Sequence, residues 1–259
     1  MLLNANHIAS DPVQKVNADG ASSIVLVCEH ASRFIPKEFK NLGLPEHLRD
    51  SHVVWDPGAL GVARRMSQRL DAALVAGGVS RLVYDCNRPP EAIDAMPAQS
   101  EVITIPGNIG LTSPSRKART QAFYAPFRDA LAQQIDRTDA PVIVTIHSFT
   151  PVYHGTARAV EIGVLHDEDT RLADAMLHTA AAHTQANVQR NQPYGPDDGV
   201  THTLREHAIE KGHLNVMLEV RNDLIRTEAA QTEMGDMLAV WLVAAFATTQ
   251  SKGAVTCVA

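Results

Sequence analysis

Residues 142–148 are Val-Ile-Val-Thr-Ile-His-Ser, an apolar run that leads directly into a histidine. Three further apolar runs also lead into polar residues: residues 24–28 (IVLVC) before Glu29 and His30, residues 82–86 (LVYDC) before Asn87 and Arg88, and residues 216–218 (VML) before Glu219. Short apolar runs separated by helix-like segments are typical of strands buried on both faces of a sheet. Because ligands bind beyond the carboxyl ends of such strands, these polar residues predict a site there.

The alternation of strand-like and helix-like segments predicts one α/β domain. The 259 residues contain no internal repeat or linker, so we expect a single domain over residues 1–259. Its core is predicted at 22–248, between a polar N-terminal segment and a short tail. The expected architecture is a three-layer α/β/α sandwich with a mixed, mostly parallel central sheet.

Apolar spacing places the remaining elements. It predicts five helices, over residues 58–74, 114–137, 170–183, 204–211 and 227–248, and two more strands, over 160–165 and 215–220. Gly77 and Gly78 are interpreted as the stop of the first helix. The segments 89–113 and 191–201 are Gly- and Pro-rich loops. Since long loops are usually functional, we expect these two to form the pocket walls.

Composition excludes several classes of protein. The formal net charge is −6 without a basic run, which argues against a nucleic-acid partner. No apolar stretch approaches the ~18 residues of a spanning helix, and residues 1–20 lack the apolar core of a signal peptide. We therefore expect a cytoplasmic protein acting on a small molecule, with its oligomeric state open. The three cysteines, Cys28, Cys86 and Cys257, form no C-x-x-C pair and are expected to be free thiols.

Two histidines in similar positions indicate a metal site. A catalytic zinc ion takes three protein ligands, usually His and carboxylate, and leaves a position open for water. His30 and His147 are the candidates, although a lone strand-end histidine is usually just a satisfied polar residue. Asp56 is the preferred third ligand, and its other interpretation is a helix N-cap. Glu29, which strand alternation directs away from His30, and the buried Asp85 are the alternatives.

The Asn87-Arg88 pair indicates a site for an anion. An arginine at this position can bind a carboxylate through two parallel charge-assisted hydrogen bonds. The alternative is a surface salt bridge from Arg88 to Glu91 or Asp94.

Glu219 is the candidate general base. A carboxylate at the end of a buried strand is costly unless it has an ion-pair partner or a role in catalysis. A catalytic carboxylate at this position would take a proton from activated water. The alternative is an ion pair with Arg221 or Arg205.

Seven segments together carry a family resemblance. They are CEHAS, WDPGALGVA, YDCNRPPEAID, PGNIGL, TIHSFTP, NQPYGPDDGVTHTL and NVMLEVRNDLI. In this order and spacing, from about residue 24 to 246, the chain resembles the N-formylglutamate amidohydrolase family.

The resemblance implies a zinc-carboxypeptidase-like (phosphorylase/hydrolase-like) fold, shared with the aspartoacylases, in which one Zn²⁺ ion activates water to hydrolyse an N-acyl amide. The nominal reaction converts N-formyl-L-glutamate to formate and L-glutamate. Asn87 and Arg88 look like the carboxylate clamp of the aspartoacylases, Glu219 looks like the shared base, and Tyr194 is expected to contact the substrate.

One departure from these relatives concerns the metal ligands. They carry a metal-binding His-x-x-Glu, whereas His30 is followed by Ala31-Ser32-Arg33. Asp56 is therefore needed to complete a set with His30 and His147.

Three other functions remain open. The enzyme could hydrolyse a different N-acyl amino acid, or the protein could bind a small ligand without catalysis. A serine hydrolase using Ser148 or Ser32 is disfavoured, because the chain lacks a G-x-S-x-G elbow. Ser148 also points to the opposite face of its strand from His147.

Overall fold

The computed structural model describes residues 11–258 and is built on a seven-stranded sheet. Its strands are β1 (Val13–Val16), β2 (Ile24–Cys28), β3 (Ala73–Gly77), β4 (Val142–Phe149), β5 (Ile162–Leu165), β6 (Val188–Arg190) and β7 (Asn215–Arg221). Their order is β1-β3-β2-β4-β7-β5-β6. Within this sheet only the β1–β3 and β7–β5 pairs are antiparallel. The predicted mixed, mostly parallel sheet is thus confirmed.

Helices cover both faces of the sheet. They are α1 (Ala59–Leu70), α2 (Ser113–Arg119), α3 (Ala125–Asp136), α4 (Arg171–Thr179), α5 (His202–His207) and α6 (Glu228–Thr248). The cores on the two faces draw on alternate strand residues, so β2 directs Leu26 to the face with α1, α4 and α6, and Val27 to the face with α3 and α5. This alternation explains why β2 is apolar at every position.

The predicted helices agree with the structure apart from the first. The helix predicted over 114–137 is α2 and α3 joined by a π turn, Thr120–Tyr124. Residues 204–211 form α5 and a following 3-10 turn, Ile209–Lys211. The last helix begins after Thr227, whose hydroxyl accepts a hydrogen bond from the Ala230 amide (3.2 Å).

The prediction of a strand over residues 82–86 is wrong. These residues form a buried irregular segment, and the strand beside β2 is β3, which the prediction had joined to the first helix. That helix ends at Leu70 because Asp71 turns into the left-handed region (φ 47°). Gly77 is therefore the last residue of β3, and the prediction that it stops a helix is wrong. Periodicity cannot separate short apolar runs that are both buried.

Two edge strands were missed, and the loops contain local structure. β1 and β6 carry polar residues and lack a continuous apolar run. The 89–113 loop includes a two-stranded hairpin (Gln99–Ser100 with Ile103–Thr104), and the 191–201 loop includes the 3-10 turn Pro196–Asp198.

The cysteines and the helix lengths bear on the expectations from composition. Cys28, Cys86 and Cys257 are free thiols, as predicted. Within residues 11–258, every helix is too short or too polar to cross a membrane. The signal-peptide prediction concerns residues 1–20, of which 1–10 lie outside the described residues.

Candidate metal centre and active site

The structure brings His30, Asp56 and His147 together at the carboxyl edge of the sheet. His30 follows β2, His147 lies on β4, and Asp56 lies in the loop before α1. Nδ1 of His147 is 2.9 Å from Oδ2 of Asp56, and Nδ1 of His30 is 3.3 Å from the same oxygen. All three residues are buried, and one potential ligand atom from each lies within 4.8 Å of the others. This group could hold a metal ion.

Backbone contacts fix Asp56 between the two imidazoles. Its amide donates to the His30 carbonyl (3.0 Å), and its Oδ2 accepts from the Ser148 amide (3.2 Å). The Asp56 side chain does not cap α1, because the N-cap position is Gly58, which has a φ of +84°. The N-cap interpretation of Asp56 is therefore wrong.

Glu29 and Asp85, the alternative ligands, contact the outer nitrogens of the two histidines. Nε2 of His30 is 2.7 Å from Oδ1 of Asp85, and Nε2 of His147 is 3.1 Å from Oε2 of Glu29. Metal-ligating histidines usually donate their second N–H to a carboxylate, which leaves the other nitrogen free to ligate. The contact between His30 and Asp85 is such a hydrogen bond, whereas His147 and Glu29 approach each other without forming one. The 3.3 Å between His30 Nδ1 and Asp56 Oδ2 matches the separation of two ligands in a tetrahedral zinc site, about 3.3–3.6 Å, and the 2.9 Å at His147 is shorter. The donor set thus fits a metal ion.

Charge at the centre favours cation binding. Burial raises the pKa of Asp56, but the adjacent imidazoles outweigh burial and hold that pKa below its usual range. Burial lowers the pKa of His147, but Glu29 and Asp56 outweigh burial and raise it well above its usual value. The carboxylates therefore stabilise positive charge, whether it is carried by protons or by a metal ion.

Removing one outer carboxylate tests this arrangement. Asp85→Asn keeps an oxygen near His30 but removes its charge, so we expect metal affinity to fall about 10- to 100-fold, as for other such partners. Competition with a chromophoric chelator measures the change. Asp94→Asn is the matched control, because Asp94 is exposed and pairs with Arg88. Equal affinities in wild type and Asp85→Asn would contradict the proposed ligand geometry.

Glu219 lies beside this centre and forms no ion pair within residues 11–258. It is the register partner of His147 on the neighbouring parallel strand, and its buried Oε2 has no hydrogen-bond partner. The alternative ion pairs are absent, since Arg221 pairs with Glu161 and Asp223, and Arg205 pairs with Asp167. Burial raises the pKa of Glu219 to about 7. Such a carboxyl group can exchange a proton near neutral pH.

Arg88 and Asn87 line the cavity, but their polar groups are already in use. Arg88 pairs through Nε with Asp94 (2.7 Å) and donates to the carbonyls of Asp198 and Gly199. The side chain of Asn87 donates to the Val200 carbonyl and accepts from the Thr203 amide. Both residues therefore fasten residues 198–203 to the sheet edge, and the alternative interpretation of Arg88, a salt bridge to Asp94, is present.

A cavity of about 290 Å³ opens over the centre. Tyr194 lines it, as do His30, Asp56, His147 and Glu219. The candidate serines are occupied elsewhere: Ser148 Oγ donates to the Pro57 carbonyl, Ser32 Oγ accepts from the Phe34 amide, and no described histidine contacts either hydroxyl.

Arg81 is a site residue that the sequence pattern did not indicate. This residue lines the cavity and contacts Asp56 (3.3 Å) and Asp85 (3.0 Å). It was overlooked because residues 82–86 were predicted as a strand, which hides the turn that places Arg81 and Asp85 side by side. Arg81 and Asp85 are four residues apart, and the turn that begins at Ser80 brings their side chains together.

Comparison with known proteins gives one family. A family model described as N-formylglutamate amidohydrolase matches residues 22–226. Among solved structures, a gene product of Agrobacterium tumefaciens is 51% identical with a TM-score of 0.91, and the match covers 93% of this chain and 97% of that one. An N-formylglutamate amidohydrolase from Ralstonia eutropha is 19% identical with a TM-score of 0.60, over 92% and 97% of the chains, and shares the fold. No curated protein matches significantly.

Proposed function

Since the chain belongs to the N-formylglutamate amidohydrolase family, we propose that it is a zinc-dependent hydrolase of small N-acyl amino acids, nominally N-formyl-L-glutamate. One observation carries the proposal. Two imidazole Nδ1 atoms and an Asp56 oxygen converge beside Glu219, whose buried Oε2 lacks a partner. Burying a carboxylate without a partner costs free energy, and a protein that only binds a ligand gains nothing in return.

His30, Asp56 and His147 would hold the ion. When bound, zinc supplies a Lewis acid that lowers the pKa of water from about 15.7 toward 7 and polarises the amide carbonyl. Asp85 and Glu29 keep the two histidines oriented through Nε2. The hydrogen bond to Asp85 fixes the His30 tautomer in which Nδ1 faces the centre.

Glu219 carries out the proton transfers in this proposal. Its carboxylate accepts a proton from the attacking water and then delivers that proton to the leaving amine nitrogen. Arg81 lines the cavity and contacts Asp56 (3.3 Å), and its guanidinium stabilises negative charge on the former carbonyl oxygen. The C–N bond breaks, and formate and the free amino acid leave.

The cavity walls bind the rest of the substrate. Tyr194 contributes a ring to the wall. Asn87 and Arg88 hold residues 198–203 in position, and a substrate carboxylate at Arg88 would replace its contacts with backbone carbonyls.

Metal content and formate release test the proposal together. Purified wild-type protein should contain about one equivalent of zinc and release formate from N-formyl-L-glutamate, since a catalytic site holds one ion through three ligands. His147→Ala should lose both properties, because it removes a ligand. His47→Ala is the control, since His47 is exposed and is not among the residues that line the cavity. Zinc-free wild-type protein that hydrolyses the substrate at full rate would contradict the proposal.

A further inference from the structure

Three arginines lie at or against the cavity, and two of them are already neutralised. Arg81 pairs with Asp56 and Asp85, and Arg88 pairs with Asp94. The third, Arg158, forms no ion pair with any carboxylate in residues 11–258. An arginine next to a site without a carboxylate partner is a candidate for binding an anionic ligand.

Aromatic rings hold the Arg158 guanidinium in place. Its Cζ lies 4.4 Å from the ring centre of Tyr153, 4.8 Å from that of Tyr194 and 5.6 Å from that of Phe149. Its NH1 donates to the carbonyl of Thr150 (3.3 Å). All four contacting residues line the cavity. Cation–π contacts fix the plane of the guanidinium without neutralising its charge, so its remaining N–H groups can bind a carboxylate.

The position of Arg158 relative to the reacting centre suits one part of the substrate. Phe149 lies two residues beyond His147 on the same face of β4, which is about 6.6 Å along the strand. In extended N-formylglutamate, the distance between the formyl carbon and the side-chain carboxylate carbon is about 6 Å. A substrate whose amide lies at the metal centre therefore reaches the Phe149 region with that carboxylate.

We propose that Arg158, framed by Tyr153 and Tyr194, is the specificity-determining residue that binds the side-chain carboxylate of the substrate. This inference rests on the proposed function, because it assumes that the amide is cleaved at the His30–Asp56–His147 centre. It assigns to Arg158 the selection of acidic N-acyl amino acids over neutral ones. The role of Arg88 is then to hold the 191–201 loop in place.

Tyr194 connects this anchor to the catalytic residues. Burial and Glu219 together raise the pKa of Tyr194 to about 12, against the opposing effect of Arg158. The Tyr194 side chain is therefore close enough to both groups to feel their charges. A carboxylate bound at Arg158 keeps the substrate within reach of Glu219.

The test compares two substrates of equal size, N-formyl-L-glutamate and N-formyl-L-glutamine. Wild-type enzyme should prefer the glutamate compound. Arg158→Gln should lower kcat/KM for that compound about 10- to 100-fold, the range expected for a lost hydrogen bond to a charged group. For the glutamine compound, it should change kcat/KM by less than about threefold, because no charged hydrogen bond is lost there. Arg226→Gln, at an exposed arginine, is the matched control and should leave the preference unchanged.

A structural role for Arg158 gives a different result. If Arg158 only packs the wall, Arg158→Gln lowers both kcat/KM values by the same factor and lowers Tm, and the proposal is overturned. Wild-type preference for the glutamine compound also overturns it. Should wild type hydrolyse neither compound, the proposed function fails separately, and calorimetry with glutarate against butyrate then tests Arg158. Glutarate binding that is unchanged in Arg158→Gln, or absent from wild type, overturns the inference.

Discussion

Glu219→Gln is expected to lower kcat by about 10² to 10⁴, the usual contribution of general acid–base catalysis. Glutamine is nearly isosteric and cannot accept the proton from water or return it to the amine. Because Glu219 is outside the ligand set, the zinc content should stay at the wild-type level, and KM should change less than kcat. Formate release per zinc-loaded molecule, measured on one preparation, gives the comparison. A kcat within about threefold of wild type, far from a general-base loss, would remove Glu219 from the mechanism.

Stability provides the control for this variant. Burial raises the pKa of Glu219 to about 7, above about 4.3 in an unfolded chain. The folded state therefore keeps a proton that the unfolded chain has lost, and the free energy of unfolding falls as pH rises from about 4.3 to about 7. Glutamine removes this slope. In metal-free protein, the Tm of Glu219→Gln relative to wild type should therefore rise with pH, whereas the loss of a structural ion pair would lower it.

Asp56→Asn is expected to abolish zinc binding and also to destabilise the metal-free protein. Oδ2 of Asp56 accepts contacts from both imidazoles, and asparagine removes the negative charge they share. Loss of one partner from a buried charged pair typically costs about 3–5 kcal/mol. Chemical denaturation of metal-free wild type and variant measures this cost, and metal analysis measures the zinc content.

The loss in free energy of unfolding caused by Asp56→Asn should depend on pH. Glu29 and Asp56 outweigh burial, which lowers the pKa of His147, and raise that pKa well above its usual value. The pair therefore stabilises the fold fully below about pH 6.5, the value for unfolded histidine, and this contribution is lost as pH rises through the raised pKa. The cost of Asp56→Asn should be largest below about pH 6.5. Asp223→Asn, which breaks a partly exposed pair with Arg221, should cost about 1 kcal/mol or less at any pH.

A uniform cost of Asp56→Asn across the pH range would show that the imidazoles are neutral in the metal-free protein. Zinc retained at wild-type affinity would exclude Asp56 as a ligand. Either result would leave the family assignment unchanged, because that assignment rests on the match over residues 22–226.

The sequence by itself determined the centre of the sheet and the residues at its edge. β2, β4 and β7 are apolar runs that lead into or include His30, His147 and Glu219, and their order along the chain predicts a shared edge. Strand periodicity and burial are local properties, so they can be inferred from neighbouring residues. The helix α6 was also predicted, because its cap and its apolar length lie within one segment.

Only the tertiary structure decided which polar groups meet. Asp56 is 91 residues from His147 in the chain, yet its Oδ2 contacts His147 Nδ1, while Glu29 and Asp85 bind the outer nitrogens of the histidines. The same long-range packing uses the donors of Arg88 and leaves Arg158 without a carboxylate partner among the described residues. A sequence pattern specifies which groups can ionise or donate, but the partners they find depend on side-chain directions and on loops that are brought together only when the sheet folds.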